Sequence, residues 1–232
     1  MGIKHCPPNV FGIFLMALRS WPIFNFESIK QIFTQPENHR ILLSRIFAVV
    51  IFLIFLFTSH SWQYRSLIDI SMELGGLVLV MVGTYGRIWC AIYLCGRKRL
   101  ELVVAGPFSV TRNPLYLFNL IGALGLGVAS LNLLVLALIL IAFGLYYPAV
   151  IQAEERELEQ RHGDTYRNYQ ASVPRFLPHT LSFQEPETYE VYPKMVRKVI
   201  MEAMWFVWLF ILIEVIESLH EAGILPVLWR IP

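Results

Sequence analysis

Hydrophobic positions in this chain form long continuous runs, not the one-sided stripes that are typical of soluble helices and strands. Residues 113–153 contain no Lys, Arg, Asp or Glu, and this run is about twice the ~20 residues that one membrane crossing needs. A polar break at residues 130–132 divides the run. The pattern therefore predicts two apolar helices, Asn113–Ala129 and Leu133–Ala153, which form a helical hairpin in a bilayer.

Three further runs predict membrane helices outside the hairpin. Ile46–Tyr64 has no formal charge and ends in the aromatic residues of a membrane interface, which indicates a first span. Leu67–Leu94 indicates a second span and contains Arg87, which either snorkels to the headgroups or faces an interior polar cavity. Val196–Leu219 indicates a last span, with a position in the interface as the alternative. The fold class predicted is an all-α integral membrane protein with about five transmembrane helices.

The ends of the chain differ from the core. Residues 10–26 are apolar but are interrupted by Arg19 and Pro22, so they predict an interfacial or re-entrant helix. Short cytoplasmic helices are expected after residue 153, with Gly163 as a stop between them. The chain accordingly divides into an N-terminal interfacial segment (1–40), a membrane core (41–193) and a C-terminal helix (194–232).

Composition and charge support this picture. The chain is 56% hydrophobic and 16% charged, where a soluble domain has about one-quarter charged residues. A net charge of +2 gives no indication of nucleic-acid binding. The basic cluster at residues 97–99 predicts that the loop Gly96–Arg112 is cytoplasmic. The three cysteines lack metal-type spacing, so no metal site is predicted.

Polar residues gather at the open end of the predicted hairpin, on the cytoplasmic side. They are Arg112, Asn113, Glu154, Glu155, Tyr166, Tyr169 and Arg175. Acids and aromatic rings together suit a ligand that carries a positive charge and a flat ring. The alternative is a rim of charged residues that only solvates the helix ends.

The motifs here carry a resemblance to a known family. They are Gly106-Pro107-Phe108, Arg112-Asn113-Pro114-Leu115-Tyr116, Glu154-Glu155, Gly163, Tyr166, Tyr169 and residues 173–178. In this order they resemble the isoprenylcysteine carboxyl methyltransferase family, part of a wider group of integral membrane methyltransferases that includes the phospholipid methyltransferases. The resemblance covers Tyr93–Pro178, and the flanks match only as hydrophobic helices.

The resemblance implies S-adenosylmethionine as methyl donor, bound on the cytoplasmic side, and a lipid or isoprenoid acceptor in the bilayer. Carried over by position, the cofactor contacts are Tyr93, Leu100, Glu101, Leu102, Val103, Phe108, Asn113, Pro114, Leu115, Tyr116 and Glu154. Glu155 is the candidate general base or orienting group, and Arg112 is the candidate anchor for an anionic headgroup.

Two positions depart from the family pattern. Asn113 stands where many of these enzymes have histidine, and asparagine can bind or orient but cannot transfer a proton near neutral pH. Val150 stands where the isoprenylcysteine enzymes place an arginine for the substrate carboxylate. Simple prenylcysteines are therefore expected to be poor acceptors unless Arg112 reaches the same pocket.

Two other functions stay open at this point. A sterol-reductase-like membrane oxidoreductase has a related architecture, but the paired Glu154 and Glu155 would repel the phosphates of a nicotinamide dinucleotide. A non-catalytic membrane scaffold could also keep the motif. The sequence does not identify the acceptor or the oligomeric state.

Overall fold

The computed structural model describes residues 49–60, 66–95, 101–177 and 183–231. The helices there are α1 (residues 49–57), α2 (Leu67–Leu94), α3 (Pro107–Val110), α4 (Pro114–Ala129), α5 (Leu133–His162), α6 (Asp164–Ser172), α7 (Pro193–Ala203) and α8 (Trp205–Glu221). The predicted N-terminal interfacial helix lies outside the described residues. The prediction of a helical protein is confirmed for the part that the structure describes.

Two strands of three residues each are an exception to the predicted all-α fold. β1 (Thr58–His60) pairs in parallel with β2 (Trp229–Ile231). The helix predicted over Ile46–Tyr64 is therefore wrong at its end, because the helical residues stop at 57. The Thr58 hydroxyl donates to the carbonyl of Ile54 at 2.6 Å at the end of the helix. The backbone of residues 58–60 is extended and pairs with β2 instead of continuing the helix.

Three helical segments of the described chain are long and apolar enough to cross a membrane: Leu67–Leu94, Leu133–His162 and Pro193–Glu221. These segments support an integral membrane protein. The bounds of α2 agree with the prediction. The last predicted span, Val196–Leu219, begins three residues earlier and is interrupted at Met204, which separates α7 from α8.

Glycines bring α2 and α4 into backbone contact. A Cβ atom added at Gly83 would lie 2.5 Å from the Cα atom of Gly122, and one added at Gly76 would lie 2.7 Å from the carbonyl oxygen of Gly125. A Cβ atom added at Gly75, on the same helix, would have no such neighbour within 4 Å. Small residues thus fix the spacing of the two helices, as in many membrane bundles.

A three-residue turn joins α4 to α5. Leu131 adopts a positive φ of 50°, and the Asn132 side chain caps α5 by accepting from the backbone N–H groups of Leu134 at 3.0 Å and Val135 at 3.3 Å. α5 runs nine residues past the predicted apolar arm and ends at Gly163, as expected, where φ is 52°. The turn at residues 130–132 returns the chain, so Asn113 and Glu154 lie at the same end of the helix pair.

Candidate active site

The loop before α4 is held beneath the end of α2. Gly106 has a φ of 63°, and a Cβ atom added there would lie 2.4 Å from the ring of Tyr93, so both the turn and the packing require glycine. Pro107 then starts the single turn of α3, and Phe108 is buried. The Gly-Pro-Phe motif therefore sets a tight bend against the Tyr93 ring.

Four of the predicted cofactor residues meet in one apolar cluster. Tyr93 and Phe108 are buried together with Cys90, and Val103 and Leu115 pack against them. We call this group the Tyr93 cluster. It joins the end of α2, the loop before α3 and the first turn of α4.

The remaining loop residues differ in exposure. Pro114 is fully buried at the start of α4, Leu102 is half-buried and Glu101 is exposed. Leu100 lies outside the described residues. The structure thus brings together the aromatic and apolar members of the predicted set and leaves Glu101 at the surface.

Glu154 is joined to Tyr116 by a direct hydrogen bond. The Tyr116 hydroxyl donates to Glu154 Oε2 at 2.7 Å. The ring of Tyr116 also packs edge-on against Tyr147, with 5.4 Å between ring centroids. A carboxylate beside two aromatic rings is the combination that favours an organic cation.

Glu155 is the centre of a second polar group, which we call the Glu155 cluster: Arg112, Asn113, Glu155 and Arg175. The Asn113 amide donates to Glu155 Oε1 at 3.1 Å and to the Arg175 carbonyl at 3.0 Å. Arg112 Nη1 lies 3.3 Å from Glu155 Oε1, and Arg175 Nε lies 3.1 Å from Oε2. The Glu155 and Arg112 side chains are only 11% and 10% exposed, so this ion pair is largely withdrawn from water.

Two tyrosines of α6 close the same junction. Tyr166 is 1% exposed, and burial, with a smaller effect of the Glu155 carboxylate, raises the pKa of its phenol. Burial also raises the pKa of Tyr169, whose hydroxyl donates to the Phe108 carbonyl at 2.7 Å. Both phenols are therefore protonated at neutral pH, and Tyr169 ties α6 to the loop that carries Phe108.

Residues 183–192, a polar segment that contains a proline and has no regular secondary structure, pack against the Tyr93 cluster. Within residues 183–192, Glu185 Oε1 accepts a hydrogen bond of 2.6 Å from the Tyr93 hydroxyl, and the Tyr189 hydroxyl donates to the Tyr93 carbonyl. The Gln184 carbonyl accepts from the Gly106 N–H at 2.8 Å. Sequence reasoning missed these contacts because the segment is polar and proline-containing, and its partners lie more than 75 residues away.

Arg87 is buried inside the helix bundle. Arg87 is 6% exposed, and its Nη1 donates a hydrogen bond to Asn119 Oδ1 at 2.6 Å. The guanidinium lies 6.0 Å from the centre of the Phe206 ring and interacts electrostatically with the buried Glu202 carboxylate. Of the two interpretations of Arg87, the structure favours an interior polar environment over snorkelling.

A separate acidic group lies at the opposite end of α2. Asp69, Glu73 and Glu217 each offer a carboxylate oxygen, and these oxygens lie within 4.8 Å of one another. Glu73 and Tyr93 are twenty residues apart on one helix, which separates them by about 30 Å along its axis. This acidic group is therefore remote from the Tyr93 and Glu155 clusters.

Comparison with known proteins agrees with the position of the site. The family model for phospholipid methyltransferases matches residues 74–165, which include the Tyr93 cluster and Glu154-Glu155. No solved structure matches the chain.

Two curated relatives extend the similarity beyond that region. The cobalt-zinc-cadmium resistance protein CzcN of Cupriavidus metallidurans is 35% identical over 188 residues, which cover 81% of this chain and 86% of the relative. The nickel-cobalt-cadmium resistance protein NccN of Alcaligenes xylosoxydans xylosoxydans is 34% identical over 195 residues, which cover 84% of this chain and 91% of the relative. With the family match and this extended similarity, the chain belongs to the phospholipid methyltransferase family.

Proposed function

We propose that this chain is an S-adenosylmethionine-dependent methyltransferase that modifies a lipid or isoprenoid acceptor at the cytoplasmic face of a membrane. The observation that carries the proposal is the Glu154 carboxylate, which Tyr116 holds beside aromatic rings inside the region that matches the family model. Carboxylate and rings together form a site for a cationic, ring-bearing donor, and the apolar helices around it give access from the bilayer.

The residues present fit S-adenosylmethionine. This donor has a sulfonium, an ammonium and an adenine, and when bound it supplies an electrophilic methyl group. The Glu154 carboxylate could pair with a positive charge, and the rings of Tyr116 and Tyr147 beside it offer aromatic surface to the donor. The Glu185–Tyr93 hydrogen bond would keep residues 183–192 over the site and restrict the entry of water.

The Glu155 cluster would align the acceptor. Methyl transfer gains most of its rate from holding the reacting atoms close and in line, which requires a rigid frame. Asn113 has no basic atom to take a proton and is held by Glu155 and the Arg175 carbonyl, so its role is orientation. With an amine acceptor, Glu155 is the carboxylate that would take the proton, whereas a carboxylate acceptor needs no base.

The membrane arrangement is part of the proposal. We infer that α2, α5 and the α7–α8 segment cross the bilayer, that α4 and α5 form a hairpin with its turn on the outer side, and that α1 belongs to a fifth span. The basic residues 97–99 support a cytoplasmic position for the loop before α3 and for the site, by the positive-inside rule. A soluble donor and a membrane-dissolved acceptor could then approach from different sides.

The names of the two relatives suggest a cellular role. Both are named for resistance to heavy metals, so we propose that methyl transfer by this chain supports metal tolerance. A strain that lacks the protein should regain growth on cadmium with the unmodified chain but not with Glu154→Gln. Equal rescue by both chains would show that metal tolerance does not depend on methyl transfer.

The direct test of the activity uses the purified protein with tritiated S-adenosylmethionine and a lipid extract. The expected result is label in an organic-soluble product, lost in Glu154→Gln and retained in the control Glu157→Gln, whose exposed side chain pairs with Arg161 on the same helix. Binding of the donor without any labelled product would favour a non-catalytic scaffold. Binding of a nicotinamide dinucleotide instead would favour the oxidoreductase.

A further inference from the structure

We propose that residues 183–192, which we call the strap, form a gate that must open for the methyl donor to enter and for its product to leave. The inference rests on the proposed methyltransferase function and adds a controlled exchange step to it. The strap lies outside residues 74–165, which match the family model, so its role is inferred from its own contacts.

Gln184 fastens the strap to α3. Its carbonyl accepts a hydrogen bond from the Gly106 N–H at 2.8 Å, and its own N–H donates to the Ser109 hydroxyl at 3.0 Å. The preceding residue, Phe183, lies against Trp89 of α2, with 5.6 Å between ring centroids. One strap residue thus makes two hydrogen bonds to the bend that leads into α4.

Two further strap residues hold Tyr93. The Tyr93 hydroxyl donates to Glu185 Oε1 at 2.6 Å, and the Tyr93 carbonyl accepts from the Tyr189 hydroxyl. The rings of Tyr93 and Tyr189 also lie 4.6 Å apart between centroids. The strap therefore binds both the side chain and the backbone of Tyr93, and the Glu185 contact is its latch.

The first turn of α4 connects the strap to the Glu154 carboxylate. Tyr189 of the strap and Leu115 of α4 both pack against the buried residues of the Tyr93 cluster. Tyr116, the residue after Leu115, donates to Glu154. A donor that pairs with Glu154 would therefore lie close to the strap, and a closed strap would restrict its exchange with the cytoplasm.

The contacts of the strap allow it to open without unfolding the helices. Residues 183–188 are exposed and form neither helix nor strand. Segments of this kind, with few buried contacts, open locally at a free energy well below that of global unfolding. At its other end the strap continues into α7, which packs against α2. Opening would therefore move the Phe183–Tyr189 end and leave α7 in place.

A reversible crosslink in the full chain tests the gate. Ser109→Cys combined with Gln184→Cys places two thiols where these residues meet, and oxidation would lock the strap onto α3. Protein locked before tritiated S-adenosylhomocysteine is added should take up label at least about tenfold more slowly than the reduced protein. Protein locked after loading should release the label more slowly by a similar factor. Equal rates in the oxidised and reduced forms would overturn the proposal.

The controls are the two single variants, Ser109→Cys and Gln184→Cys, oxidised in the same way. They account for the native thiols of Cys90 and Cys95, which are buried. Both should exchange S-adenosylhomocysteine at the rate of the reduced double variant.

Hydrogen exchange tests the latch without any ligand, and it decides the question if the crosslink does not form. The Gly106 N–H donates to the Gln184 carbonyl, so its exchange rate reports opening of the strap. Glu185→Ala removes the hydrogen bond to Tyr93 and should make exchange at Gly106 about fivefold faster. Glu187→Ala removes an exposed carboxylate of the same strap and should leave the rate unchanged. The same rate in Glu185→Ala and the unmodified chain would contradict the latch.

The two measurements separate failure of the gate from failure of the proposed function. If the unmodified chain and the reduced double variant bind no S-adenosylhomocysteine, the methyltransferase proposal fails, and exchange at Gly106 still tests the strap. If both bind and the lock changes neither uptake nor release, the donor site stands and the gate is wrong.

Discussion

The hydroxyl of Tyr116 and the carboxylate of Glu154 form a hydrogen bond of 2.7 Å between residues that are 38 positions apart. Tyr116 lies in the first turn of α4, and Glu154 lies in α5 just after its uncharged run. The bond therefore fixes the carboxylate at the end of the helix pair where the Tyr93 cluster begins. Its value to the protein is orientation, because the hydrogen bond fixes the direction of the Glu154 carboxylate.

Removing this hydroxyl should weaken binding of the donor. Tyr116→Phe deletes one hydrogen bond worth about 1 kcal/mol, so S-adenosylhomocysteine should bind about fivefold more weakly. The measurement is isothermal titration in detergent. The control Tyr85→Phe alters a tyrosine that is 71% exposed on α2 and should leave the affinity unchanged. A loss of the same size in both variants would show that the effect is not local.

The Glu155 cluster should matter more for stability than for donor binding. Glu155→Gln leaves Arg112 and Arg175 without their carboxylate, and breaking a largely buried pair costs about 3–5 kcal/mol. Because Arg175 is 45% exposed, we expect the free energy of unfolding to fall by only about 2–3 kcal/mol. The measurement is the unfolding temperature, which should be lower in the variant.

The matched control for Glu155→Gln is Glu159→Gln on the same helix. Glu159 pairs with Arg167 at the surface, with side chains 40% and 64% exposed, and surface pairs contribute about 0–1 kcal/mol. Similar unfolding temperatures for Glu155→Gln and Glu159→Gln would mean that the Glu155 cluster does not hold α6 to the loop before α4.

The contact between α2 and α4 should tolerate no added atoms at Gly83. Gly83→Ala places a Cβ atom 2.5 Å from the backbone of Gly122, and overpacking of this kind costs about 1–3 kcal/mol. Gly75→Ala, two turns away on the same helix, meets nothing within 4 Å and should leave the unfolding temperature unchanged or slightly higher. Equal destabilisation by the two variants would contradict the close approach of these helices.

The orientation of the chain can be tested with single cysteines at exposed positions. Ala222→Cys follows α8 and should be labelled from outside sealed vesicles of known orientation, whereas Glu187→Cys should be labelled only from the cytoplasmic side. Both changes are made in a chain whose own cysteines are replaced. Labelling of both positions from one side would show that the α7–α8 segment does not cross the bilayer.

Long apolar runs and single stop residues could be predicted from the sequence because the causes are local. The bounds of α2 and the end of α5 at Gly163 follow from hydrophobicity and from a glycine at a positive φ. The meeting of Asn113 and Glu155 at the open end of the helix pair could also be predicted, because a turn at residues 130–132 must return the chain to its starting side.

Contacts between distant segments could not be predicted in this way. The strand pair ends the first predicted helix early because Thr58 finds its partner 171 residues later, at Trp229. Residues 183–192 look like a linker by composition, yet Glu185 accepts a hydrogen bond from Tyr93. In both places a backbone or side-chain group is satisfied by a partner that no local pattern identifies.

The most direct test of the central claim is S-adenosylhomocysteine binding to the unmodified chain and to Glu154→Gln. We predict saturable binding to the unmodified protein and a loss of roughly tenfold in Glu154→Gln, since the variant removes the negative charge that faces the donor. Glu155→Gln that remains folded should bind within a few-fold of the unmodified protein. No binding to the folded, unmodified chain, or equal affinity in the unmodified chain and Glu154→Gln, would contradict the account.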